Sequence, residues 1–332
     1  MVESHEPLPP VVVVAGPTAA GKSGVAIELA LRFGGEVVNA DSVQVYRHLD
    51  IGTAKPSLAE RARVPHHRLD VVPPDIPYTA GRYAREARAA AAAIHARGGL
   101  VFLAGGTGLY VRAFLEGLLE VVPAAPGLRT ALEAEARRAE AEGDPLRLHR
   151  RLEAADPRAA RAVHPRDVRR VVRALELLEA TGMRPSQLRA AHAFADRPFR
   201  VLYLVLDPGR SELDRRIDAR ARAMLDAGLL RECRALRAMG YGPELRPLQA
   251  IGYRHLMPVV DGLDTLVNAL EGMRRDTRRF ARRQRTWFRA VREAVWVHPE
   301  DRAGIEKCVA EFAAETQRRR AWGAAQSSEG ET

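Results

Sequence analysis

Several things are scarce in this chain, and each scarcity removes a class of protein. Two cysteines occur among 332 residues, Cys233 and Cys308, with no CxxC pair and no Cys/His spacing suited to zinc. That argues against a disulfide framework or a structural metal site and for a reducing, cytoplasmic home. No apolar run approaches the roughly 20 residues needed to cross a bilayer. Met1–Pro10 is acidic and proline-bearing, unlike a signal peptide. There is no internal repeat. Lysine is rare beside arginine, and acid is in deficit, leaving a formal net charge of +10. A surplus of cations favours a polyanionic partner, because each neutralised phosphate releases counterions. The same Ala/Arg bias also arises in GC-rich genomes, so charge alone does not choose.

What is present reads as a soluble globular protein of one or two domains, with 46% hydrophobic and 28% charged residues. Val11–Ala15 is a short β-branched run broken by Gly16-Pro17, and Lys22–Phe33 follows with helical spacing. Glu36–Asp41 and Leu100–Ala104 read as further buried strands. Between them Thr79–Arg97 is a helix, with Thr79 as N-cap and Gly98-Gly99 as its stop. Such alternation implies an α/β fold, a parallel sheet covered on both faces. From 123 to 198 strand signals vanish, and an Ala-, Glu-, Leu- and Arg-rich segment punctuated by Pro126, Pro145, Pro157, Pro165 and Pro185 reads as a helical insertion. Arg200–Leu206 returns to strand character. Ser211–Met239 reads as one long helix and Thr265–Val291 as another, before a last strand at Val295–His298 and a short helix. The expected organisation is a core in two parts, 11–122 and 199–322, an insertion at 123–198, and a small polar tail at 323–332 without order.

Gly16-Pro17-Thr18-Ala19-Ala20-Gly21-Lys22-Ser23 matches GxxxxGK[ST] between a strand and a helix, the setting in which backbone N–H groups cradle phosphates. Lys22 adds a point charge, Ser23 a hydroxyl for Mg²⁺, and the helix its positive end. Diphosphate binding follows from this. What happens to the phosphates does not: a kinase moves the terminal phosphoryl group, whereas an alkyl transferase discards the diphosphate. No apolar strand ends in Asp-x-x-Gly and no Asn-Lys-x-Asp occurs, which argues against a GTPase switch. Asp41 follows the second strand, so it should stand beside the phosphate loop at the sheet's ligand-binding edge. There a carboxylate ligates Mg²⁺, serves as a general base, or merely caps the next turn.

Asp41-Ser42-Val43-Gln44-Val45-Tyr46-Arg47 and Leu49–Pro56 resemble the signature of bacterial tRNA dimethylallyltransferases. So, in the same order, do Pro65–His67, Thr79–Tyr83, Gly105–Tyr110, His164-Pro165, Arg170–Glu176, Gln249–Tyr253 and Thr277–Gln284, a match running from Val11 to Arg289. The resemblance implies a phosphate-loop NTPase-like core and transfer of a dimethylallyl group from dimethylallyl diphosphate to N6 of adenine 37 in tRNA, with Mg²⁺. Asp41 resembles the family's base, and Thr107 a residue near the reacting centre. Arg220, in Arg216-Ile217-Asp218-Ala219-Arg220, resembles an arginine that meets the leaving diphosphate; it could otherwise lie on a solvated helix face. Thr18 and Ala19 would reach either substrate.

The resemblance also assigns RNA contacts to Asp41, Ser42, Val43, Gln44 and Thr107, and to Arg169, Arg170, Val171, Val172 and Arg173 on the insertion; the family usually has Gln where Arg169 stands. Arg129, opening the insertion, is a further candidate. On the last long helix, Met273, Thr277, Phe280, Gln284, Trp287 and Val291 recur at helical spacing as an inward face. Arg275, Arg278, Arg279, Arg282, Arg285 and Arg289 fall on another face with only Asp276 among them, so a phosphate track through Arg278 and Arg282 is expected. His66 and His67 lack a third ligand at metal spacing. The enzyme is expected to be a cytoplasmic monomer. A small-molecule kinase would share the phosphate loop but leave the insertion and the arginine helix unexplained. A non-catalytic RNA-binding switch lacks its guanine-reading motif.

Overall fold

Six strands, β1 (Pro10–Ala15), β2 (Gly35–Asn39), β3 (His66–His67), β4 (Leu100–Gly105), β5 (Arg200–Leu206) and β6 (Ala294–Val297), build one sheet in the order β3-β2-β4-β1-β5-β6. Every pairing is parallel. The computed structural model describes residues 8–118, 125, 127–192 and 196–329. Central β1 is wholly buried because both its faces are covered, which is why it reads as unbroken valine rather than as an alternation. Val11, Val13 and Ala15 pack with Tyr83, Phe114 and Phe288 on one side. Val12 and Val14 pack with Val25, Leu29 and Val309 on the other.

The chain divides into a sheet unit, 1–116 with 197–332, and a helical unit, 117–196. The helical unit has its own core of Leu132, Leu148, Leu152, Val172 and Leu175. Its helix Pro157–Arg161 starts at proline, whose missing N–H costs nothing there, and Asp156 caps it by accepting from the Ala159 N–H at 3.0 Å. The expected boundary at 122–123, Pro126 and the last residues of the tail lie outside the described residues.

Two expectations need correction. Ser211–Met239 is two helices, Arg210–Asp226 and Leu229–Ala238, because Gly228 adopts φ +103°, a left-handed turn that a continuing helix does not allow. The tail from Gly323, expected to lack order, continues a helix that runs Arg302–Glu329. That helix is anchored upstream by buried Ile305, Val309 and Phe312, and Ala324-Ala325-Gln326 favours its continuation. No helix among the described residues is long and apolar enough to cross a membrane.

Candidate active site

The ends of β1, β2 and β4 converge on one cavity of about 680 Å³. Each strand delivers a loop. After β1, Gly16 has no room for a side chain: a Cβ there would stand 2.4 Å from the Leu206 carbonyl oxygen. The loop therefore turns tightly into the helix Lys22–Phe33. That helix has a left-handed Gly21 as N-cap, no side-chain cap and no acid in its first turn. Its first N–H groups are left without a capping partner, and with the dipole they favour an anion. Thr18, Ala19, Gly21, Lys22 and Ser23 all line the cavity; Gly16, Pro17 and Ala20 are buried behind it. Lys22 Nζ donates to the Pro17 carbonyl at 2.7 Å. Burial, and then the Arg220 guanidinium, lower the Lys22 pKa to about 8, against a smaller opposite pull from Asp41.

The ends of β2 and β4 are pinned together. Ala40 N–H donates to Ala104 at 2.7 Å, and Thr107 N–H to Ala40 at 3.1 Å. A Cβ on Gly105 would meet the Ala40 carbonyl oxygen at 2.2 Å, so glycine is required for this approach. The Thr107 hydroxyl accepts from the Ser42 N–H at 3.0 Å and donates to Ser42 Oγ at 3.3 Å. Thr107 thereby fixes the turn that carries Asp41. Within that turn Asp41 Oδ1 accepts from the N–H groups of Val43 (2.8 Å) and Gln44 (3.2 Å). The capping role and exposure to the cavity coexist: one oxygen holds the turn, and Asp41 is the single acidic residue among the cavity's described lining.

The loop over the cavity is held from below. Glu232 accepts from the N–H groups of Asp50, Ile51 and Gly52 and from the Tyr253 hydroxyl. A Cβ on Gly52 would strike the Tyr253 ring at 2.5 Å. Gln44 Nε2 donates to the Thr53 carbonyl at 3.0 Å and approaches that of Ala54 at 3.3 Å. Half-buried Arg220 reaches the Thr53 carbonyl at 3.5 Å, and desolvation lowers its pKa, partly opposed by Asp41. Arg220 thus lines the cavity. Ile217, Ala221 and Met224 on its helix, with Met273 and Phe280, supply an apolar wall.

Not every sequence-derived candidate lies here. Val171 and Val172, candidates for RNA contact, are 1% and 0% exposed, with their side chains packed in the core of the helical unit. Their helix neighbours Arg170 and Arg173 are exposed and pair with Asp167 and Glu176. Arg169 is exposed on the same helix. Arg129 pairs with Glu133 at 3.0 Å and lies 3.7 Å from Glu176. Arg278, a candidate for the phosphate track, is half-buried and pairs with Asp218, so it also braces two helices. Arg282 is exposed and lines a shallow groove with Arg279, Arg283 and Thr286. His66 Nδ1 lies 2.7 Å from the Val64 carbonyl, and His67 Nε2 lies 2.6 Å from Glu36. No group of three His, Cys, Asp or Glu side chains suited to a metal occurs among the described residues. Sequence reasoning missed Gln284, Met224 and Glu232. Gln284 had been grouped with the apolar face of its helix, and nothing local marks the other two.

Comparison with known proteins bears directly on this arrangement. A family model described as IPP transferase matches residues 44–291, and one described as isopentenyl transferase matches 9–68. The tRNA dimethylallyltransferase of Anaeromyxobacter dehalogenans (strain 2CP-C) is 51% identical over 288 residues, 87% of this chain and 94% of that one. That of Desulfosudis oleivorans is 48% identical over 299 residues, 90% and 93% respectively. Among solved structures, the full-length tRNA isopentenylpyrophosphate transferase of Bacillus halodurans superposes with a TM-score of 0.69 at 34% identity, covering 94% of this chain and 99% of that one. A eukaryotic dimethylallyltransferase acting on tRNA superposes with a TM-score of 0.77 at 30% identity, covering 92% and 77%.

Proposed function

The chain belongs to the IPP transferase family of tRNA dimethylallyltransferases, and from that premise we propose that it alkylates N6 of adenine 37 in tRNA with dimethylallyl diphosphate. The observation that carries this reading is one cavity in which a phosphate cradle, a carboxylate and an apolar wall meet. The cradle at Gly16–Ser23 takes the diphosphate, and the wall of Ile217, Met224, Met273 and Phe280 takes the five-carbon chain. The C–O bond breaks as the N–C bond forms. The bond's electron pair leaves with the diphosphate, whose growing charge meets Lys22, Arg220 and the helix N-terminus. The amine's lone pair is delocalised into the purine ring. Asp41 accepts the N6 proton, assistance typically worth ~10²–10⁴-fold.

Ser23, whose hydroxyl is a hard oxygen donor and which lines the cavity beside Lys22, would hold Mg²⁺, and the bound ion would offset charge on the diphosphate. Adenine 37 must leave its stack at a cost of a few kcal/mol. Gln44, Ser42 and Val43 lie at the cavity where the base would arrive. Arg282 and the exposed arginines Arg169, Arg170 and Arg173 offer charge to RNA phosphates. Two free cysteines suit a cytoplasmic enzyme. Incubating the protein with unmodified tRNA, Mg²⁺ and dimethylallyl diphosphate should yield one N6-dimethylallyladenosine per diphosphate released. Unaltered nucleosides, with phosphoryl transfer from ATP to a metabolite instead, would refute the reading.

A further inference from the structure

Gln284 is a buried amide on the face of the helix Leu266–Arg289 that the sequence marks as inward. A buried amide is costly unless its polar atoms are satisfied. Its Oε1 accepts from the Thr18 N–H at 2.8 Å, and its Nε2 donates to the Gly106 carbonyl at 2.8 Å. One partner only donates and the other only accepts, so the amide has one sensible orientation. The fit is close: a Cβ on Gly106 would stand 2.4 Å from Nε2. The helix is held in register by Arg285, which pairs with Asp207 at the end of β5 at 2.8 Å, and by buried Phe288. Trp287 lies against Gly108, where a Cβ would meet its Nε1 at 2.1 Å.

These contacts tie together two loops with different tasks. Thr18 belongs to the phosphate cradle. Gly106 precedes Thr107, whose hydroxyl holds Ser42 in the Asp41 turn. A continuous path therefore runs from Thr18 through Gln284, Gly106, Thr107 and Ser42 to Asp41. Resting on the transfer reaction proposed above, we infer that Gln284 is a positioning residue that sets the distance between the leaving diphosphate and the base that deprotonates the incoming amine. A displacement of about 1 Å between reacting groups can cost ~10²-fold in rate.

Three variants test this. Gln284→Met keeps the volume and removes both hydrogen bonds. With substrates saturating, its single-turnover rate should fall about 10²-fold, consistent with that displacement cost, while the KM for tRNA stays near that of the unaltered protein. Gln284→Glu should recover as pH falls from 8 to 6. A buried carboxyl, its pKa raised by desolvation, then regains a proton to donate to Gly106 while its carbonyl still accepts from Thr18. Gln284→Ala should not recover. A near-normal rate for Gln284→Met, or a Gln284→Glu deficit that does not change with pH, would overturn the inference. If Gln284→Met fails to fold, the pH series on Gln284→Glu decides alone. The unaltered protein run alongside separates the two readings. If it transfers no prenyl group the reaction assignment fails, and if it does the variants judge Gln284.

Discussion

Lys22 and Arg220, two cations from different helices, share a cavity in which Asp41 is the single acidic residue among the described lining. Burial first and Arg220 second bring Lys22 down to about 8. A bound diphosphate would restore its proton. Below pH 8 the ammonium is already charged in the free protein, so binding takes up no proton. Above it each event must import one, and affinity for dimethylallyl diphosphate should fall about tenfold per pH unit. Calorimetry in buffers of different ionisation enthalpy would count the protons. The free protein should show the matching stability trend. Unfolded lysine titrates near 10.4, so between about pH 8 and that value the unfolded state holds more protons, and stability rises with pH. Lys22→Met should remove both effects.

Asp41 holds its turn through one oxygen, so alanine would disturb geometry as well as chemistry. Asparagine keeps an acceptor for the Val43 and Gln44 N–H groups and removes the base. Asp41→Asn should lower the transfer rate ~10²–10⁴-fold with tRNA affinity nearly unchanged. Normal turnover by this variant would show that the proton leaves by another route.

Arg278 and Arg282 should separate. Arg282→Glu should weaken tRNA binding and reduce the log–log salt slope by about one, since one phosphate contact is lost. Arg278→Ala should instead act on the fold, because it strands Asp218 on the neighbouring helix. Thermal melts beside salt titrations of tRNA binding would distinguish the two. An equal loss of salt slope in both would place Arg278 on the RNA-binding surface as well.

The helical unit has its own core, and Leu152 is fully buried in it. Leu152→Ala should cost about 2–5 kcal/mol there. Limited proteolysis should then cut within 117–196, with tRNA affinity lost and binding of dimethylallyl diphosphate retained. Loss of diphosphate binding as well would mean that the two units do not fold separately.

The phosphate loop was legible because its requirements are local: a buried strand, glycine where Leu206 approaches, and a helix with an uncapped start. Asp41 was legible by position, since the residue after a parallel strand faces the ligand edge of the sheet. Gln284 was not, because its partner in the phosphate loop lies 266 residues away and helical periodicity records only that a residue faces inward. The pairing of Arg278 was hidden for the same reason: a run of like charges shows nothing of an Asp218 on another helix. The burial of Val171 and Val172 was legible in their apolar helical spacing. The break at Gly228 was hidden because Arg210–Asp226 and Leu229–Ala238 keep full helical composition on either side of one glycine. The edge strand β3 spans only His66–His67, too short for alternation to register.

The claim on which the rest depends is that the glycine cradle grips a diphosphate that departs whole. Dimethylallyl diphosphate carrying ¹⁸O in the bridging C–O–P position, incubated with the protein, Mg²⁺ and unmodified tRNA, tests it most directly. We expect all of the label in the released diphosphate and none in the RNA, with N6-dimethylallyladenosine formed in equal amount. Label retained on a prenyl alcohol, or a phosphoryl group transferred to the acceptor, would show P–O cleavage and contradict it.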